Sequence, residues 1–214
     1  MKKIFTLIAV AMMAVGGAMA QTSKEWNFST WTAGDITATK TVDGLTVYAT
    51  ETGKVTVDAN NKTVDGVKYT QRIKMGGTAA WNGDTKAPEA RILAFAVPGA
   101  CKIKIIACSA SGSEDRNFAI ATGASEDDII AQKLATSTVT SYEVDYSGTA
   151  TTIYIYSLKS GVNFYDISYT STGTGISNIN AEATNAPVYN LAGQRVNANA
   201  KGLVIKNGKK YVNK

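Results

Sequence analysis

Six side chains hold most of the binding chemistry in this 214-residue chain: Trp31, Trp81, Arg72, Lys74, Arg91 and Arg116. Trp31 and Trp81 sit in polar, turn-rich stretches, "STWTAGD" and "AAWNGDTKAPEA". An indole in such a place offers a flat apolar ring with a polar edge, suited to stacking on the face of a sugar. The competing account is that each ring plugs one end of a β-sandwich. Arg72 and Lys74 share the polar face of "KYTQRIKM", while Arg91 and Arg116 begin the apolar runs "RILAFAV" and "RNFAIATG". A guanidinium is a planar fork that grips a carboxylate through two hydrogen bonds. Convergence of these cations would therefore recognise an acidic polymer. Cations at strand starts and edges also discourage edge pairing, which is the plainer account of them.

Other chemistry is excluded or unmarked. The chain has no histidine, which removes Ser-His-Asp triads, Cys-His dyads and histidine-based zinc sites. It has no Gly-rich phosphate loop ending in Gly-Lys-Ser/Thr. Two carboxylates can hydrolyse a glycoside, but no pair here is marked by position. "SEDD" (Ser125 to Asp128) and Glu114-Asp115 could offer oxygens to a structural calcium, yet no EF-hand pattern is present. A solvated acidic loop explains them equally. The expectation is a protein with no catalytic residues and no cofactor.

The two cysteines, Cys101 and Cys108, lie in "CKIKIIAC". Ile103 and Ile105 alternate with Lys102 and Lys104, the pattern of one strand. Seven residues of strand span about 23 Å, and a disulfide needs Cα atoms within about 7 Å. The odd spacing also sends the two thiols to opposite faces. Two free, buried thiols are expected, even in an exported protein.

The elements that must carry these residues are strands. Runs rich in Thr, Val, Ile and Tyr alternate with polar residues and are bounded by Gly, Asp and Asn. "EWNFSTW", "LTVYATE", "KVTVDA", "KYTQRIKM", "RILAFAVP", "CKIKIIACSA", "RNFAIATG", "SYEVDYS", "TTIYIYSL" and "VNFYDISYT" are the candidates. Asp43-Gly44 and Asp65-Gly66 supply tight turns. Trp26 and Phe28 alternate and are expected in the core. "SEDDIIAQ" reads as a single helical turn capped by Ser125, or as a loop. The fold class expected is all-β: a jelly-roll-like β-sandwich of about ten strands, then a small C-terminal β-hairpin unit.

The two ends carry the charge. Met1-Lys2-Lys3, an apolar run from Ile4 to Val15, and Ala18-Met19-Ala20 form the layout of a signal peptide cleaved after Ala20. The run is too short to span a bilayer. The net charge of +5 divides into +2 in residues 1–20, +5 in residues 174–214, and −2 in residues 21–173. A nucleic-acid partner needs a basic domain face, which the central body lacks. The domains expected are a signal peptide at 1–20, the β-sandwich at 21–170, a polar linker at 171–187, and a tail at 188–214. The mature protein is expected outside the cell or on its surface, with no stable membrane insertion.

The tail segments "VYNLAGQRV" (188–196) and "GLVIKNGKKYVNK" (202–214) resemble a shortened type IX secretion sorting domain of Bacteroidales secreted proteins. Val204 stands where the longer form usually has Tyr, so the resemblance implies export more firmly than route. It implies secretion machinery as a partner of the tail. A plain terminal hairpin is the other reading. The body, through "EWNFSTW", "YTQRIKMGG", "RILAFAV", "DRNFAIATG" and "SGVNFYDISYT", resembles β-sandwich modules attached to secreted pectate lyases and other polysaccharide-degrading enzymes of that group. This implies a non-catalytic carbohydrate-binding domain, with an acidic plant polysaccharide such as pectin as the polymer. A structural or adhesive surface protein that binds other proteins is the alternative, and a small polysaccharide lyase or hydrolase the third reading. No coil repeat of a β-helix lyase is visible.

Overall fold

The computed structural model describes residues 21–172, 188–190, 192–197, 200–206 and 209–213. The expected signal peptide with its cleavage site, the expected linker beyond residue 172 and the Asn207-Gly208 turn lie outside the described residues. The chain divides between Thr174 and Gly175 into two compact units.

Among its described residues the first unit holds fifteen strands: β1 (Ser23–Asn27), β2 (Gly34–Ile36), β3 (Lys40–Val42), β4 (Leu45–Tyr48), β5 (Val55–Val64), β6 (Val67–Lys74), β7 (Ala80–Trp81), β8 (Pro88–Ala90), β9 (Ile92–Val97), β10 (Cys101–Ser109), β11 (Arg116–Ala121), β12 (Ile129–Ala135), β13 (Thr140–Tyr146), β14 (Thr151–Ser157) and β15 (Val162–Ser171). Seven form one antiparallel sheet in the order β13-β10-β15-β6-β5-β2, with β1 also on β15. Six form the other, β12-β11-β14-β9-β4-β3, and β7 pairs with β8. Alternate residues of the two sheets meet in one core. Ile73, Ile103, Phe164 and Ile167 come from the first sheet, and Val47, Phe95, Phe118 and Ile155 from the second. Phe118 meets Phe164 edge-on at 5.5 Å, and Trp26 lies 4.9 Å from Phe95, so the sheets are the two layers of a β-sandwich.

All ten expected strands are present, with shifts that have local causes. "EWNFSTW" breaks after Asn27, whose side chain accepts a hydrogen bond from Ser29 N at 2.9 Å and turns Phe28–Thr30 into a 3-10 turn. The break has a tertiary use. β10 takes one edge of β15, while β6 takes Asn163 and Phe164 on the other edge and β1 takes Asp166 to Thr170. The 3-10 turn closes the seam. Gln71 Nε2 donates to the carbonyls of Ser29 and Trp31, at 3.2 and 3.0 Å. "SEDDIIAQ" gives a 3-10 turn at Glu126–Asp128, then the start of β12, a strand that its irregular pattern did not announce. The short strands β2, β3, β7 and β8 also lacked a sequence signal.

Asp43-Gly44 and Asp65-Gly66 have positive φ at both positions (49° and 85°, 50° and 80°) and join β3–β4 and β5–β6 as two-residue turns. Cys101 lies in the main core. Cys108 lies in a satellite cluster with Tyr69 and Tyr165 on the outer face of the first sheet. Both thiols are free and buried.

The second unit is a small antiparallel sheet in the order β17-β16-β18-β19, formed by β16 (Val188–Asn190), β17 (Arg195–Val196), β18 (Gly202–Lys206) and β19 (Lys209–Asn213). Tyr189 pairs with Ile205 and Leu203 with Val212, which places these four on one face. Tyr189, Leu203 and Val212 are exposed.

Candidate functional site

The outer faces of the two sheets differ in chemistry. In the second sheet, inward alternation of Val47, Leu93, Phe95, Ile120, Ile153 and Ile155 sends the intervening residues outward. These are Thr46 and Tyr48 on β4, Ile92, Ala94 and Ala96 on β9, Thr152, Tyr154 and Tyr156 on β14, and Asn117, Ala119 and Ala121 on β11. None is charged. The first sheet is the opposite, with Asp58, Arg72, Lys74, Lys102 and Glu143 facing out and joined in ion pairs.

Register arranges the neutral face in rows. Ala94 pairs with Thr46 on one side and Tyr154 on the other, and Ile92 pairs with Tyr48 and Tyr156. Tyr48 and Tyr154 thus stand diagonally across Ile92 and Ala94, on strands about 10 Å apart. The β7–β8 hairpin lays Trp81 over one end. Its ring meets Tyr154 and Tyr156 edge-on, each at 5.3 Å. Ala79 N anchors the approach by donating to Ser157 O at 3.2 Å. The indole N–H is buried without a partner, so packing alone holds the ring. Tyr156 and Ile92 are buried beneath, while Tyr48, Tyr154 and Trp81 remain half-buried. Burial raises the phenol pKa of Tyr154 and Tyr156 and keeps both hydroxyls protonated donors at neutral pH. Rings, phenols and threonine hydroxyls without charge suit stacking and hydrogen bonding to a neutral hydroxylated chain.

A separate cleft of about 410 Å³ surrounds Trp31. Trp31 follows the 3-10 turn and meets Phe28 edge-on at 5.0 Å. Glu25, Asn27, Asp35, Lys40 and Asp43 add polar groups to its walls. Lys24 lies 2.6 Å from Asp43. Asp35 accepts hydrogen bonds from Lys54 and Thr56, both at 2.7 Å, which hold its carboxyl below the usual range. Glu25 instead meets the side chain of Asp166 on β15. Asp166 is 3% exposed, and its Oδ2 has no hydrogen-bond partner. Burial, and then Glu25, push its carboxyl up to about 7 against the pull of Lys104.

The six sequence candidates do not share one place. Trp81 covers the neutral face, and Trp31 lines the cleft. Arg72 and Lys74 are on the opposite sheet, at 2.8 and 3.2 Å from Asp58. Burial opposes the Asp58 charge, but these two partners outweigh it and hold the carboxyl below its usual range. Arg91 has φ of 57° and donates to the carbonyls of Thr52 and Thr78, at 2.9 and 3.4 Å. Arg116 pairs with Glu114 at the start of β11. Each of these cations thus already has a partner. Asp128, of the acidic loop, accepts from Ser125 N at 2.9 Å. Among the described residues, no three acidic or cysteine side chains gather as a metal-binding group, and no helix is long and apolar enough to cross a membrane.

Sequence reasoning missed Tyr48, Tyr154 and Asp166. "LTVY" and "TTIYIY" carried a signal, since every polar position in them is uncharged. Asp166 is the one charge in "VNFYDISYT".

No family model matches the chain, and no curated protein matches it. Solved structures do. The K1 cleaved adhesin domain of Lys-gingipain from Porphyromonas gingivalis W83 is 11% identical, with a TM-score of 0.42 over 71% of this chain and 99% of that one. The CBM22-1 xylan-binding domain of Paenibacillus barcinonensis Xyn10C is 15% identical, with a TM-score of 0.41 over 68% of this chain and 91% of that one. The C-terminal CBM6 of LamC, a laminarinase from Zobellia galactanivorans, is 11% identical, with a TM-score of 0.29 over 70% and 100%.

Proposed function

We propose that this is an exported, non-catalytic carbohydrate-binding protein that holds a neutral polysaccharide on the outer face of its second sheet. The observation that carries the reading is the charge-free face with Tyr48, Tyr154 and Trp81 standing over alanines. The rings stack on the apolar faces of sugar rings, and Thr46, Thr152 and the phenols exchange hydrogen bonds with hydroxyls. The strand positions of that face carry phenols, threonines and alanines, with Asp128 of the neighbouring 3-10 turn beside Tyr156, a composition that favours binding without reaction. The pectin reading required free converging cations. Arg72, Lys74, Arg91 and Arg116 are engaged by Asp58, backbone carbonyls and Glu114, which favours a neutral polymer. The signal-peptide layout supports secretion, and the tail's resemblance supports secretion machinery as its partner.

Affinity electrophoresis of the purified protein in gels containing xylan, β-glucan or polygalacturonate tests this. Retardation by a neutral polymer, lost in Tyr154→Ala and Trp81→Ala, is the expected result. Retardation by polygalacturonate alone, or free migration in every gel, would overturn it. Free migration would favour the second reading, a structural or adhesive protein. That reading draws on the exposed Tyr189, Leu203 and Val212 of the small sheet, an apolar face suited to a protein partner.

A further inference from the structure

Asp166 and Glu25 are a carboxyl pair that the glycan reading does not use. Asp166 faces outward from β15, in register with Asn27 of β1 and Ile106 of β10. One of its oxygens is buried with no partner, and Glu25, in register with Ser168, is its diagonal neighbour across the β1–β15 ladder. Glu25 lines both the Trp31 cleft and a groove of about 470 Å³ along β1 and β15. The other ionisable groups facing Asp166 are Lys104 of β10 and Tyr69 of β6. Lys104 is also 4.0 Å from Asp65 of the β5–β6 turn, so its charge is divided between two acids. Two carboxylates in contact, one of them out of water, cannot both stay ionised cheaply. A proton resolves the conflict, because a protonated carboxyl donates the hydrogen bond that its neighbour accepts.

The strand concerned is the one best placed to respond. β1 has five residues and pairs with β15 alone. Trp26 fixes its inner side by packing on Phe95 and donating to Asp43 O at 3.0 Å. Its outer side carries Glu25, diagonal to Asp166. Short strands with a single neighbour open at the low end of a protein's local stability range.

We propose that Asp166 is a proton-operated latch on β1. Protonated, it hydrogen-bonds Glu25 and seats the strand that walls the Trp31 cleft. Deprotonated, it repels Glu25 and loosens β1, whose Glu25, Trp26 and Asn27 line that cleft. The cleft is therefore tighter and better ordered in mild acid than in mild alkali. This stands apart from the sheet-face reading, so failure of glycan binding leaves it untouched.

Carboxyl-carbon NMR titration of the protein, with amide exchange of β1 across pH, tests the latch. Asp166 should titrate near neutrality. Protection of the β1 amides, corrected for the intrinsic pH dependence of exchange, should fall by up to about tenfold per pH unit between pH 5 and 7 and then level off. Asp166→Asn should remove that dependence. If Asp166→Asn does not fold, Glu25→Gln serves, since it should bring the Asp166 titration to lower pH and raise β1 protection at pH 7. Titration of Asp166 below pH 5, or β1 protection that does not change with pH, would overturn the proposal.

Discussion

Replacing Asp166 by Asn should make the sandwich more stable above neutral pH, by an amount that shrinks steadily as pH falls toward the ordinary carboxylate range. The carboxyl sits at about 7 in the folded protein against an ordinary value of 3.8. A difference of about 3 units corresponds to about 4 kcal/mol. The sign follows from linkage. A raised value means the folded state holds a proton that the unfolded state has released, so the stabilisation is complete below the ordinary value and is lost as pH rises toward 7. Asp35 and Asp58 have lowered values, so their stabilisation is lost only as pH falls below the ordinary carboxylate range. Between about pH 4.5 and 7.5, Asp166 therefore dominates the slope. Urea unfolding followed by tryptophan fluorescence isolates the effect, because Trp26, Trp31 and Trp81 all lie in the sandwich. The wild type should lose about 3–4 kcal/mol across that window. Asp166→Asn should lose less than about 1 kcal/mol. A wild-type stability that is flat or rises across the window would refute the reasoning, as would a variant with the same slope.

Further outcomes follow from the same geometry. Tyr154→Ala should weaken binding to a neutral polysaccharide about tenfold, equivalent to about 1.4 kcal/mol, with Arg72→Ala close to wild type, as read by calorimetry. Phe164→Ala removes a fully buried ring packed on Phe118 and should cost about 3–5 kcal/mol in urea unfolding. Burial pushes Tyr69 up to about 12 and raises Tyr142 and Tyr165 as well. Their stabilisation is lost as pH rises through those values, so ultraviolet titration should show these phenols ionising only as the protein unfolds in strong alkali. Cys101 and Cys108 should resist alkylation in the native protein and react together on unfolding, with no disulfide in mass spectrometry.

What the sequence determined by itself was local. Alternation placed Ile103 and Ile105 inward and Lys102 and Lys104 outward, because a pleated strand leaves no other choice. The same rule separated Cys101 from Cys108 and ruled out their pairing. Asp-Gly at 43–44 and 65–66 specified the tight turns, because Gly takes positive φ without steric cost and Asp tolerates it. Trp26 and Phe28 were legible as core. Tertiary structure alone decided which strands became neighbours. Arg72 looked like a free cation until β5 placed Asp58 opposite it. Tyr48 and Tyr154 lie more than a hundred residues apart in sequence and meet across β9 only through its pairing with β4 and β14. Asp166 looked like an ordinary polar position until the division of the β15 edge brought β1, and Glu25 with it, alongside. Alternation states which side chains share one face of one strand. Register between distant strands depends on how the two layers bury their apolar faces together, and no local pattern encodes that.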